Sequence, residues 1–163
     1  MKFKLLLVDN DEYLLNVHRK YFDCAGYDVD CATTETDALA LIDRNRYAAI
    51  VCDLHLDSDN SNQQGLAFAS KAKILRPGAA FFILTSHVSY KFERNALSRG
   101  VYMCLTKPQP LSKIKEAIEF AIAHDPLGSQ RELPSRSGRS PVLNFDGLQA
   151  WTAHMQFDNL LKG

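Results

Sequence analysis

The sequence lacks most of the devices that mark an extracellular, membrane-spanning or nucleotide-binding protein. Its four cysteines, Cys24, Cys31, Cys52 and Cys104, show no CxxC spacing. That argues against zinc and suits a reducing compartment, where a buried thiol acts as a small hydrophobe. The five histidines, His18, His55, His87, His124 and His154, form no metal-spaced pair and read as surface residues. No charge dominates, since 19 basic and 19 acidic side chains cancel. No global field therefore recruits nucleic acid or an anionic membrane. No apolar run approaches a membrane span, and the first, Leu5 to Val8, runs straight into acids, unlike a signal-peptide core. Neither GxGxxG nor a P-loop follows any apolar run, which argues against a nucleotide cradle.

What the sequence does contain is alternation. At 163 residues, 46% apolar, it holds one domain plus some excess. Ala48-Ala49-Ile50-Val51-Cys52 is a short apolar run that stops on Asp53, and it reads as a strand buried on both faces. Phe3 to Val8, Ala80 to Leu84 and Val101 to Leu105 have the same character, while Tyr27 to Cys31 alternates with acids like an outer strand. Helices are expected over Glu12–Ala25, over Ala38–Ile42 after the capping-type Thr34–Asp37, over Leu66–Ile74, over about His87–Arg99, and after Pro110. Apolar faces are expected at Leu14, Leu15, Val17, His18, Tyr21 and Phe22 in the first helix and at Leu66, Phe68, Ala69, Ala72 and Ile74 in the third. Five βα units imply a doubly wound parallel sheet with helices on both faces, and a flavodoxin-like strand order of 2-1-3-4-5.

In that topology the carboxyl ends of strands one, three, four and five lie together. They carry Asp9-Asn10, Asp53, Thr85 and Lys107. Two carboxylates and an amide oxygen are hard ligands of the kind Mg²⁺ prefers. A hydroxyl and an ammonium can hold the oxygens of an incoming phosphoryl group, whose transfer needs mainly positioning and charge neutralisation. Asp53 is then the nucleophile, forming an acyl phosphate; Lys107 holds the phosphoryl group as a point charge, and Thr85 hydrogen-bonds another oxygen.

On Leu7-Val8-Asp9-Asn10, Ile50-Val51-Cys52-Asp53, Leu84-Thr85-Ser86 and Leu105-Thr106-Lys107-Pro108, the chain resembles the receiver domain of bacterial two-component response regulators. The resemblance runs from Lys2 to about His124. It implies that Asp53 is charged by a histidine kinase or histidine phosphotransfer protein. It further implies that Asp9, Asn10, Asp53 and the backbone carbonyl of His55 hold Mg²⁺, and that Thr85 is the switch hydroxyl. A face made by the fourth helix, last strand and last helix would respond and could form homodimers. Such a module is cytoplasmic, binds neither membrane nor nucleic acid directly, and catalyses only its own phosphorylation and hydrolysis.

Three positions depart from the family pattern. Asn10 stands where a second acid is usual, which predicts weakened Mg²⁺ binding, with Asp11 able to compensate through a small loop shift. Cys104 stands at the usual switch aromatic, and strand alternation puts Tyr102 on the same sheet face, either sharing that role or simply packing. The loop from Asp53 to Gly65 is about four residues longer than usual, with Asp57 replacing a proline and Asp57 and Asp59 as further candidate ligands. Two other readings stay open. One is a pseudo-receiver that binds partners without phosphate. The other is a haloacid dehalogenase-like phosphatase opening on Asp9-Asn10-Asp11, although that family's later acid pair is missing.

The organisation expected is a receiver domain over residues 1–124 and a Pro/Gly/Ser/Arg-rich linker over 125–145. Over 146–163, Leu148, Trp151 and Met155 suggest a short amphipathic helix or the start of a truncated output segment.

Overall fold

The computed structural model describes residues 2–53, 63–86 and 88–124. The expected linker and terminal helix lie outside these residues, as do His55, Asp57 and Asp59. Ten elements alternate: β1 (Lys4–Val8), α1 (Glu12–Cys24), β2 (Asp28–Ala32), α2 (Glu35–Arg44), β3 (Ala49–Asp53), α3 (Gln63–Leu75), β4 (Ala80–Thr85), α4 (Tyr90–Ser98), β5 (Met103–Thr106) and α5 (Leu111–His124). The strands form one parallel sheet in the order β2-β1-β3-β4-β5, the flavodoxin-like order the alternation implies.

Side chains on a strand point alternately to opposite faces, so the central strands feed two cores. Leu6, Val8, Ile50, Cys52, Phe81 and Ile83 face α2, α3 and α4, with Phe68 of α3 edge-on to Phe81 at a centroid distance of 5.4 Å. Leu5, Leu7, Val51, Phe82 and Leu84 are buried on the other face, where α1 and α5 pack together. Burial on both sides accounts for the near-continuous apolar runs in β1, β3 and β4.

Local chemistry sets where each helix begins and ends. Asp11 caps α1 and Thr34 caps α2; Thr34 accepts the Asp37 N–H and donates its hydroxyl to the Asp37 carboxylate. Ser89 caps α4 by accepting the Phe92 N–H, so this helix starts at Tyr90 rather than near His87. Gly26 and Gly100 end α1 and α4 in the left-handed region, at φ 96° and 85°. At Gly100 space matters as well: a Cβ would meet Cγ of Lys73 at 3.2 Å, and Lys73 uses its ammonium to bind the carbonyls of Pro77 and Ala79.

Two expected apolar faces are corrected. A helix turns about 100° per residue, which groups Leu15 and Phe22, with half-buried His18 between them, and sends Leu14 and Val17 toward solvent. The same geometry puts Ile74 nearly opposite Phe68, Ala69 and Ala72, and it is 76% exposed.

Arg76, just beyond α3, ties the end of that helix to the end of α2. Its guanidinium donates to the carbonyls of Asn45 (3.0 Å), Asp43 and Leu75, fixing the turn through which α2 hands over to β3. Charge-assisted bonds to partly exposed carbonyls each contribute modestly. Arg76→Ala is expected to lower unfolding stability by about 1–2 kcal/mol in urea titrations; an unchanged midpoint would show the tie to be energetically idle.

Candidate functional site

The carboxyl ends of β1, β3, β4 and β5 each contribute one functional side chain. Asp53 is the last residue of β3 and Thr85 the last of β4, while Asp9 and Lys107 follow β1 and β5 directly. Asp9 (5% exposed), Asp53 (6%) and Thr85 (1%) are the buried polar residues among those described. A polar group that deep needs a partner. For Asp53 one partner is the Lys107 ammonium, which donates to Oδ2. Because β4 lies between β3 and β5, Lys107 has to cross the end of β4, and its own N–H anchors to the Thr85 carbonyl at 2.7 Å. The Lys107–Pro108 peptide is cis. The structure therefore brings Lys107 onto Asp53 and leaves Thr85 at the intervening strand end.

Asp9 is held differently. Its N–H donates to the Ala32 carbonyl at 3.1 Å, and its Oδ1 accepts the Asp11 N–H at 2.9 Å. The described residues give its other oxygen no partner. Asn10 is exposed beside it. Asp11 turns toward α1, where its Oδ1 accepts the N–H groups of Tyr13 (2.9 Å) and Leu14 (3.0 Å).

A divalent cation fits the donors present. Two buried carboxylates face one ammonium, leaving one negative charge uncompensated, and the available oxygens are hard. Among the described residues no three His, Cys, Asp or Glu side chains converge on one point. Asp9, Asp53 and the Asn10 carbonyl would hold the ion, and it would screen a phosphoryl group from the carboxylates.

Cys104 lies opposite Ile83 and packs against the core to which α4 contributes Phe92 and Ala96. Burial, with Glu93 adding to it, pushes its thiol up to about 12, so it is a neutral packing group at physiological pH. Cys52, fully enclosed, is likewise pushed upward, mainly by burial. Tyr102 does not share the face of Cys104. It precedes β5, and its ring packs on Phe82, 5.5 Å away, on the side of α1 and α5. Strand alternation fails there because Tyr102 is not yet in the strand.

His18 is the residue near the site that the sequence hid by resembling an ordinary surface histidine. Burial lowers its pKa, the Lys107 charge adds to this, and Asp9 opposes it. A neutral, half-buried imidazole stabilises the fold fully above its unfolded pKa of about 6.5, and that stability is lost as pH falls toward the lower folded value. Wild type is expected to lose urea resistance between pH 7.5 and 5.5, and His18→Leu to flatten that slope. Identical slopes would remove His18 from the acid response.

A parallel α/β sheet with its polar groups gathered at the carboxyl edge places the molecule among flavodoxin-like modules that work at that edge. A family model for the response regulator receiver domain matches residues 5–119, and the chain belongs to that family. It is thus a phosphorelay module of two-component signalling. The chain is 29% identical over 140 residues to the transcriptional regulatory protein GlrR of Escherichia coli K12, a match covering 85% of the chain and 31% of that protein. It spans about a third of the length of the curated relatives it matches. It superposes on a two-component response regulator from Clostridium difficile with a TM-score of 0.68 at 20% identity, covering 76% of this chain and 98% of that one. A Burkholderia pseudomallei response regulator protein, solved with a phosphorylated aspartic acid, calcium ion and citrate, gives 0.66 at 24% identity, with coverage of 95% and 86%. Both structural likenesses speak to the fold.

Proposed function

We propose that this domain accepts a phosphoryl group on Asp53 in a cation-dependent reaction, from a histidine kinase or histidine phosphotransfer protein, and relays it as a change of surface. The observation that carries the reading is the partly buried Asp53–Lys107 ion pair at the meeting point of the strand ends. A carboxylate oxygen of Asp53 attacks phosphorus; the P–N bond to the donor histidine breaks, and the imidazole leaves with that electron pair. Lys107 follows the negative charge from the carboxylate to a phosphoryl oxygen, and Thr85 donates its hydroxyl to another. Bound Mg²⁺ neutralises the charge that would otherwise repel the incoming group.

Asp9, Asn10, Asp53 and the backbone carbonyl of His55 are the proposed metal ligands, and Thr85 with Cys104 forms the proposed switch pair. A thiol at position 104 sweeps little volume, so the response is read mainly through Thr85 and the loop to α4. Homodimers would form on the face of α4, β5 and α5. α4 carries Tyr90, 75% exposed, beneath the Arg94 guanidinium. Four free thiols suit a reducing compartment, which supports a cytoplasmic location. Among the described residues no helix is long and apolar enough to cross a membrane. The chemistry is limited to the domain's own phosphorylation and hydrolysis. The phosphatase reading gains nothing from the geometry, since Lys107 pairs with Asp53 and not with Asp9.

Incubation with acetyl phosphate and Mg²⁺ is expected to add one phosphoryl group by intact mass, and the adduct should vanish in Asp53→Asn and fall sharply in Lys107→Ala. An unmodified wild type would instead favour a phosphate-independent binding module. Restoring the missing charge with Asn10→Asp should tighten Mg²⁺ by roughly 2 kcal/mol or more, the Coulomb attraction between a unit charge and a divalent ion at about 4 Å under water-like screening. Equal affinities in calorimetric titration would refute the charge argument.

A further inference from the structure

Asp11 has two oxygens, and α1 uses only one of them. Both N-cap bonds, from Tyr13 and Leu14, end on Oδ1. The described residues give Oδ2 no partner, and the side chain is exposed. Its backbone N–H is bonded to Oδ1 of Asp9 at 2.9 Å, so its position is tied to that carboxylate. The residue between them, Asn10, is neutral. Asp9, meanwhile, is buried, accepts the Asp11 N–H on Oδ1, and has no basic side chain paired to it among the described residues.

We infer that Asp11 supplies, from the second shell of ligands, the negative charge that Asn10 lacks, holding a divalent cation at Asp9 by field and through a bridging water while it continues to cap α1. The inference rests on the proposed cation-dependent site. It needs no loop shift, because both cap bonds end on Oδ1, and it needs no convergence of three acids on one point. Coulomb's law for a unit charge and a divalent ion one ligand shell apart, about 5 Å, gives roughly a fifteenfold contribution to affinity when screened by water alone, and the counter-ions of a dilute buffer cut it to about three- to tenfold. Because Asp11 is exposed, salt should erode that contribution.

Charge and cap can be separated by substitution. Asn caps a helix about as well as Asp, whereas Glu keeps the charge and caps poorly. Mg²⁺ alone is titrated calorimetrically into the full chain at low and high KCl, and thermal midpoints are measured in parallel. Asp11→Asn is expected to weaken Mg²⁺ binding about three- to tenfold at low salt, with the gap narrowing at high salt and the thermal midpoint held near wild type. Asp11→Glu is expected to give the reverse: near-wild-type affinity and a lowered midpoint. Wild-type affinity in Asp11→Asn would overturn the inference and leave the cation-dependent site standing. A wild type that binds no Mg²⁺ would overturn both.

Discussion

Everything at the carboxyl edge of the sheet is organised by one ion pair that must bridge a strand. Asp53 and Lys107 end strands that are not neighbours, so the contact forms only if β4 stops between them on a residue small enough to reach over. Thr85 meets that demand, and its carbonyl holds the Lys107 backbone in place. A lysine side chain one-third exposed, against an aspartate side chain almost wholly enclosed, leaves the pair open on one side. Charge can therefore be delivered to Asp53 from solvent without unpacking the core.

The same constraint explains why the chemistry rests on the most rigid part of the molecule. β1, β3 and β4 are buried on both faces, and their ends cannot drift independently. α4 rests on two buried side chains, Phe92 and Ala96, over a β5 strand that offers Cys104 to the same core.

Electrostatically, the site is poorer than its geometry. Asn10 removes a charge, Asp11 spends one oxygen on capping α1, and Lys107 already neutralises Asp53. Asp9 is the remaining concentrated negative charge in the interior, and it is reached through an oxygen with no described partner. Metal affinity in this domain should accordingly be sensitive to exposed charges nearby and to ionic strength.

Strand order and the four strand-end residues were legible in the sequence because apolar runs buried on both faces have an unmistakable pattern, and because each stops on the residue that matters. Alternating βα units allow few topologies, and this one brings those ends together whatever the side chains between them do. Tertiary structure alone decided the rest. It showed that Leu14, Val17 and Ile74 face solvent, that Tyr102 packs on Phe82 away from Cys104, and that His18 is half-buried. It also showed that Asp11 serves α1 with a single oxygen. Hydropathy records how apolar a residue is, not its angle around a helix or the hydrogen bond it has already made. Those depend on neighbours that are distant in the chain and meet only once the sheet has formed.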